Sequence, residues 1–288
     1  MSDRISVAKT YKLYIGGKFP RSESGRVYPV TDAKGKFLAN AAHASRKDVR
    51  DAVVAARKAF PGWSAATAYN RGQVLYRVAE VLEGRRDQFI AEVSASEGLA
   101  AKKAESLVDA AIDRWVWYAG WTDKIASVLG SANPVAGPYF SFTMPEPTGV
   151  VGVLAPQGSS LLGLVEVLAP VLATGSTAVV VSSAERPLPA ITLSEVLATS
   201  DVPGGVANIL TGRAAELGPW LASHGDVNAL DPTGAALDDR PGLAREAANT
   251  VKRVLTVPAA EPDWTAAPDL TRVRRYLEAK TVWHPLGV

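Results

Sequence analysis

The sequence predicts an α/β fold built on an open parallel sheet, and three observations carry that prediction. Between Pro145 and Gly212, short apolar runs alternate with helix-like segments in the order strand, helix, strand, helix, strand. That order calls for crossover connections, which join parallel rather than antiparallel neighbours. The runs Val150–Ala155 and Thr177–Ser182 are nearly continuous in valine, leucine and alanine. Strands covered on both faces look like this, whereas half-exposed strands alternate apolar with polar residues. Glycines at 149, 152, 204, 205 and 212 punctuate the runs, so the chain turns where a sheet of this kind connects to its helices. Such a sheet is a common platform for a nucleotide.

The elements follow in order. Residues 11–38 mix short β-like runs with Gly, Ser, Asp and Pro, which reads as an extended entry segment with turns. Ser45 followed by Asp48 forms a capping-box start. Val49, Val53, Ala56 and Phe60 then recur near the helical period, and Pro61-Gly62 is expected to end the helix. Further helices are expected over Asn70–Glu83, Asp87–Glu97 with Gly98 as the stop, and Lys102–Leu129. The last carries Trp115, Trp117, Tyr118 and Trp121, which read as a packed helix face. An extended piece covers Tyr139–Met144. Strand Val150–Ala155 leads to helix Ser160–Thr174, strand Thr177–Ser182, helix Leu188–Thr199, strand Ala207–Leu210, helix Ala214–Ser223 and strand Val227–Leu230. Three prolines among small residues make 258–269 a linker, and Leu270–Trp283 reads as a turn or two of helix followed by a short strand. The organisation is thus 1–131 (N-terminal helical part), 132–148 (bridging β segment), 149–257 (βαβ core), 258–269 (linker) and 270–288 (tail).

Composition narrows the function classes. With 288 residues and 47% apolar content, the chain is long enough to bury a sizeable core. A formal charge of +2 gives no electrostatic argument for nucleic acid or an anionic membrane. The apolar runs are far too short to span a bilayer. The polar start MSDRISVAKTYK lacks an apolar signal core, so a cytoplasmic location is expected. The absence of cysteine from these residues excludes disulfides, zinc–thiolate sites and a thiolate nucleophile within them.

Several stretches resemble the aldehyde dehydrogenase superfamily. They are IGGKF at 15–19, SGRVYPV at 24–30, DVRDAVVAARKAFPGWS at 48–64, RGQVL at 71–75, YAGWTDKI at 118–125, EPTGVVGVLAP at 146–156, VPGGVANILTG at 202–212 and LASHGDVNAL at 221–230. The likeness runs collinearly over most of residues 11–256 and returns in the tail. It implies the superfamily's Rossmann-like coenzyme domain with N-terminal helices and a small β oligomerisation element. It also implies NAD(P)-dependent aldehyde oxidation through a nucleophilic cysteine.

Carried over residue by residue, the resemblance fails at the working positions. The superfamily's Pro-Trp-Asn, whose amide helps hold an oxyanion, reads Pro156-Gln157-Gly158 here. Losing one such donor costs about 10²–10³ in rate in well-studied hydrolases. The Lys-Pro-Ser/Ala-Glu run that holds the adenine ribose reads Val181-Ser182-Ser183-Ala184, unless a one-residue slip lets Glu185 serve. The phosphate-facing Phe-Thr-Gly-Ser reads Pro232-Thr233-Gly234-Ala235, and the carboxylates of Asp238-Asp239 follow where a helix start would welcome phosphate. The Leu-Glu-Leu-Gly-Gly run bearing the general base reads Thr256-Val257-Pro258-Ala259-Ala260, so Val257 stands at the base position. The residual coenzyme contacts that the resemblance leaves are Pro156, Gln157, Ser182, Gly212, Thr233 and Gly234. Beyond this point EAKTVWHPLG at 278–287 resembles the far C-terminal oligomerisation strand, which in the superfamily pairs with the bridging strand (here Tyr139–Met144) and docks on a neighbouring subunit.

Other chemistry reads weakly. His43, His224 and His284 are scattered and show no metal-ligand spacing. Ser159-Ser160 reads as a helix cap rather than a nucleophile elbow. Asp238-Asp239 read as a solvated turn, and Arg272, Arg274 and Arg275 as a solvated or contact face of a helix. Glu166 and Glu195, on apolar helices, need a partner or exposure.

The losses are coordinated while the scaffold persists. The expectation is therefore a truncated, non-catalytic member of the superfamily that assembles with a complete aldehyde dehydrogenase, or with itself, and carries no metal and no firmly bound cofactor. Two alternatives stand beside it: an NAD(P)-binding oxidoreductase component with a residual coenzyme site, and a free-standing module for a small ligand.

Overall fold

A computed structural model describes residues 8–287; the polar start up to residue 7 and the final residue of the tail lie outside the described residues. The entry segment is a hairpin of β1 (Val27–Thr31) and β2 (Phe37–Ala42). Its turn closes because the Asp32 carboxylate accepts the backbone N–H groups of Lys34 and Lys36.

Four helices and a short fifth follow: α1 (Arg46–Ala65), α2 (Ala68–Glu83), α3 (Arg86–Glu97), α4 (Ala101–Trp121) and α5 (Ile125–Leu129). The capping box of Ser45 and Asp48 is formed at α1. That helix nevertheless runs through Pro61-Gly62 to Ala65 instead of ending there. Tertiary packing overrides the local break: Trp63 is buried and donates its indole N–H to the Leu172 carbonyl at 3.1 Å, which holds the last turn helical. The helix expected over 102–129 is broken into α4 and α5. Thr122 turns its hydroxyl back onto the Ala119 carbonyl at 2.9 Å, which offers the backbone an alternative to the helical ladder. Gly98 ends α3 in the left-handed region, φ 69°. Trp115 and Tyr118 are buried, while Trp117 and Trp121 stack half-exposed beside them.

The central sheet consists of β5 (Val150–Leu154), β6 (Thr177–Val181), β7 (Ala207–Leu210), β8 (Ala229–Asp231) and β9 (Arg253–Val254). All its pairings are parallel, in the order β7-β6-β5-β8-β9. Crossovers run through α6 (Leu162–Ala173), α7 (Leu188–Ala198), α8 (Ala214–Ser223) and α9 (Arg240–Ala248). Every residue of β5, β6 and α6 is buried, which explains why those runs show no polar face. Strand β8 sits later than Val227–Leu230 suggests, because it extends to Asp231 and brings that carboxylate to the carboxyl edge of the sheet.

A second, antiparallel sheet stands apart. It holds β3 (Ser131–Asn133), β4 (Tyr139–Pro147) and β10 (Leu277–Pro285), in the order β10-β4-β3. The β4–β10 ladder pairs nine residues, from Leu277 with Pro147 to Pro285 with Tyr139. A short α10 (Thr271–Arg275) precedes β10. Among the described residues, no helix is long and apolar enough to cross a membrane.

Candidate functional site

In an open parallel sheet, ligands bind beyond the carboxyl ends of the strands. There the loops after β5, β6 and β8 meet, and the residues singled out in the sequence come together. Most of their polar groups are bonded within the chain, and the Ser182 hydroxyl is the exception.

Gln157 pins two loops. Its side-chain N–H donates to the Ala155 carbonyl at 2.8 Å, and its side-chain oxygen accepts the Ala184 N–H at 3.0 Å. The Ser183 hydroxyl donates to the Gln157 carbonyl at 3.1 Å. Gly158 donates its N–H to Glu261 at 3.2 Å, and its carbonyl accepts the Arg186 guanidinium. Pro156 is buried against the start of α6. The Ser159 hydroxyl accepts the Gly163 N–H at 2.9 Å, and Ser160 gives both its N–H and its hydroxyl to Glu97. The N-cap of α6 is Leu161 rather than Ser159 or Ser160, but the Ser159 hydroxyl satisfies a first-turn N–H of the helix, and Ser160 is buried.

At the end of β8, the Asp231 carboxylate is fully buried and accepts the Thr233 N–H and hydroxyl. It also accepts the Tyr276 hydroxyl at 2.7 Å and pairs with Arg272. Arg272 lies within 3.1 Å of the Thr233 hydroxyl, and Arg240 donates to the Thr233 carbonyl at 3.2 Å and to the Ala235 carbonyl at 3.2 Å. Gly234 is tight: a Cβ there would lie 1.8 Å from the Ala155 carbonyl oxygen. The reading of Arg272 as part of a solvated or contact face is corrected here. Its guanidinium turns inward onto Asp231, because a buried carboxylate requires a partner. Arg274 and Arg275 stay exposed.

The remaining positions behave plainly. Ser182 is buried, donates its N–H to the Leu210 carbonyl, and keeps a hydroxyl without a partner. Gly212 is buried at the end of β7. Val257 is hydrocarbon packed on the main core, so no proton acceptor stands there. Asp238 and Asp239 form an exposed turn. Glu166 is buried between Arg114 and the Tyr118 hydroxyl at 2.8 Å, and Glu195 is flanked by Lys9 at 2.9 Å and Arg85 at 2.6 Å, which answers the expectation that each needs a partner. Among the described residues, no group of three or more His, Cys, Asp or Glu side chains is gathered as a metal site. A cavity of about 790 Å³ opens beside these loops, between Tyr28 and Asp32 of the hairpin and Glu185, Arg186 and Arg213.

A dinucleotide at this edge would meet two donors already engaged within the chain. The Gly158 N–H is bonded to Glu261 and the Thr233 hydroxyl to Asp231. No lysine stands after β6. Sequence reasoning missed Asp231, Arg240, Glu261 and Trp264. The faint signal was the i, i+3 pair Glu261–Trp264 and the i, i+4 pair Arg272–Tyr276, both in segments read as surface.

Comparison with known proteins agrees with the fold. The model of the aldehyde dehydrogenase family matches residues 19–256. Human retinal dehydrogenase 2 is 34% identical over 253 residues, which cover 85% of this chain and 48% of that protein. The mitochondrial benzaldehyde dehydrogenase of Antirrhinum majus is 33% identical over 251 residues, covering 84% of this chain and 46% of that one. Among solved structures, HpcC from Thermus thermophilus superposes with a TM-score of 0.81 at 30% identity, over 85% of this chain and 47% of its own. The NAD⁺ complex of an aldehyde dehydrogenase from Bacillus cereus gives 0.79 at 26% identity, over 85% and 50%. The chain therefore spans about half the length of the relatives it matches. On the strength of its coenzyme-domain sheet and the family match across residues 19–256, the chain belongs to the aldehyde dehydrogenase family.

Proposed function

We propose that this chain is a non-catalytic member of the family that works by assembly, as a structural or regulatory subunit joined to a complete aldehyde dehydrogenase. The observation that supports this most is the β10-β4-β3 sheet. Its nine-residue ladder is fully formed, yet it leaves Tyr139, Phe140, Met144 and Trp283 exposed, Trp283 at 60%. Tyr139 and Trp283, diagonal neighbours in the ladder, meet edge to face at 5.8 Å on one side, while Phe140 and Phe142 lie 5.4 Å apart on the other. A small sheet with aromatics on both faces and an edge at β10 that is free among the described residues is a surface that a second chain covers.

The chemistry of the site points the same way. The 288 residues hold no thiol, and Gly158 and Val257 offer neither a side-chain oxyanion donor nor a base. Co-expression with a complete aldehyde dehydrogenase from the same genome, followed by size-exclusion chromatography with light scattering, tests the reading. The two chains co-elute as one species, and removal of residues 279–288 abolishes this. Separate elution of the intact chains refutes it; assembly of this chain with itself alone would leave a homo-oligomer in place of the hetero-oligomer.

A further inference from the structure

The segment 258–269 has the composition of a linker, yet it crosses the carboxyl end of β5 without helix or strand and is held along its length. Arg240 of α9 donates to the Pro258 carbonyl at 2.7 Å. The Glu261 carboxylate accepts the Gly158 N–H at 3.2 Å and the Trp264 indole N–H at 2.7 Å. Arg114 of α4, itself buried, donates to the carbonyls of Trp264 and Ala266. The Arg272 guanidinium of α10 stands 5.6 Å from the centre of the Trp264 ring, within cation–π range. Three arginines from three different helices thus fasten one irregular segment.

The floor beneath the segment is shaped to receive it. A Cβ at Gly158 would sit 2.7 Å from the Glu261 carboxylate oxygen, and one at Gly163 would sit 3.1 Å from the Trp264 ring. The two glycines leave the space that the glutamate and the tryptophan fill. Gly158 is therefore more than a position stripped of a donor side chain. Its backbone N–H is occupied by an anion from the same chain.

We infer that residues 258–269 are a plug built in cis, and that Glu261 holds the donor at the carboxyl end of β5 that a bound anionic ligand would otherwise take. The Gly158 end of the dinucleotide-type site is thus filled by the chain's own polypeptide, while the cavity lined by Gln157, Arg186 and Gly212 stays open beside it. This inference stands independently of the assembly reading, since it concerns the site and not the arm.

Hydrogen exchange read by mass spectrometry on the full chain tests it, with NAD⁺ as the probe. In the wild type, millimolar NAD⁺ leaves exchange across 156–163 unchanged. In Glu261→Ala/Trp264→Ala, exchange there rises about tenfold or more, the effect of losing roughly 1.4 kcal/mol of anchoring. Glu261→Ala alone, which leaves the Trp264 ring in place, is the gentler variant should the double substitution fail to fold: exchange at 156–163 rises in it too, and unchanged exchange overturns the plug. Protection of 156–163 by NAD⁺ in the wild type overturns the plug, and so does equal exchange in the wild type and the double variant. Neither result depends on whether the chain co-elutes with a partner.

Discussion

Replacing Arg114 by methionine tests how the plug and the core are joined. Arg114 is 7% exposed and Glu166 is also 7% exposed. The guanidinium Nε–H donates to one carboxylate oxygen of Glu166, and the Tyr118 hydroxyl donates to the other at 2.8 Å. Methionine keeps most of the aliphatic stem but leaves Glu166 with a neutral hydroxyl as its sole remaining partner. Breaking a buried pair from one side costs about 3–5 kcal/mol, because the remaining charge is desolvated without compensation. The carbonyls of Trp264 and Ala266 lose their donor too. They belong to a surface segment where water can replace it, so this adds at most about 1 kcal/mol. The sum is about 4 kcal/mol, equivalent to a fall in Tm of roughly 10 °C at about 2–4 °C per kcal/mol for a domain of this size. Urea denaturation followed by tryptophan fluorescence and circular dichroism measures it. The companion Arg114→Met/Glu166→Leu removes both charges and recovers most of the loss, since a buried ion pair exchanged for hydrocarbon is often neutral. The reasoning fails if the single variant loses less than about 1 kcal/mol, or if the double variant is no more stable than the single one.

Two further outcomes follow from local geometry. Val251 is a β-branched residue at φ 54° and is 92% exposed; since the left-handed region costs such a residue about 1–2 kcal/mol, Val251→Gly stabilises the chain by about 1 kcal/mol after the flexibility of glycine is allowed for, which thermal unfolding would show as a higher Tm. Burial raises the Glu92 carboxyl above its ordinary value, against the lowering effects of the Thr192 hydroxyl bond and the Lys9 charge, and one of its oxygens has no partner. A raised carboxyl binds its proton more tightly in the folded state, so its contribution is fully present below the ordinary carboxylate range and is lost as pH rises through the folded value. Chemical denaturation at weakly acidic and at neutral pH should show that part of the stability slope in the wild type and its disappearance in Glu92→Gln; an unchanged slope counts against a buried, proton-retaining Glu92.

The fold is legible where the sequence is locally consistent. Continuous apolar runs in Val150–Leu154 and Thr177–Val181 follow from burial on both faces, and Ser45 with Asp48 announces a helix start through backbone donors that need acceptors. The reading fails where distant contacts outvote local chemistry. Pro61-Gly62 reads as a stop, but the anchorage of Trp63 on Leu172 carries α1 past it. The site is legible as a set of positions and not as a network. Gly158 and Glu261 are 103 residues apart, and no periodicity links a glycine in a strand-end loop to a glutamate in a proline-rich stretch. Arg272 escapes sequence reading for a related reason: a run of arginines looks solvated until a buried carboxylate, Asp231, is found facing one of them.

The buried Asp231 also ties the carboxyl edge of the central sheet to the start of β10. Asp231 ends β8 at the carboxyl edge of the central sheet, and it accepts from Thr233, Arg272 and Tyr276 together. Tyr276 is fully buried and immediately precedes Leu277, the first residue of β10. Its carbonyl accepts the Thr148 N–H at 3.1 Å, and Arg253 of β9 holds the Leu277 carbonyl at 2.6 Å and the Glu278 carboxylate at 2.5 Å. Tyr276 thus belongs to both: it donates to Asp231 at the edge of the sheet and leads directly into β10. Through Arg272 and Tyr276, the Asp231 carboxylate thus fastens the segment that leads into β10 to the end of β8, and a buried carboxylate held by three donors fixes that junction more firmly than surface contacts would.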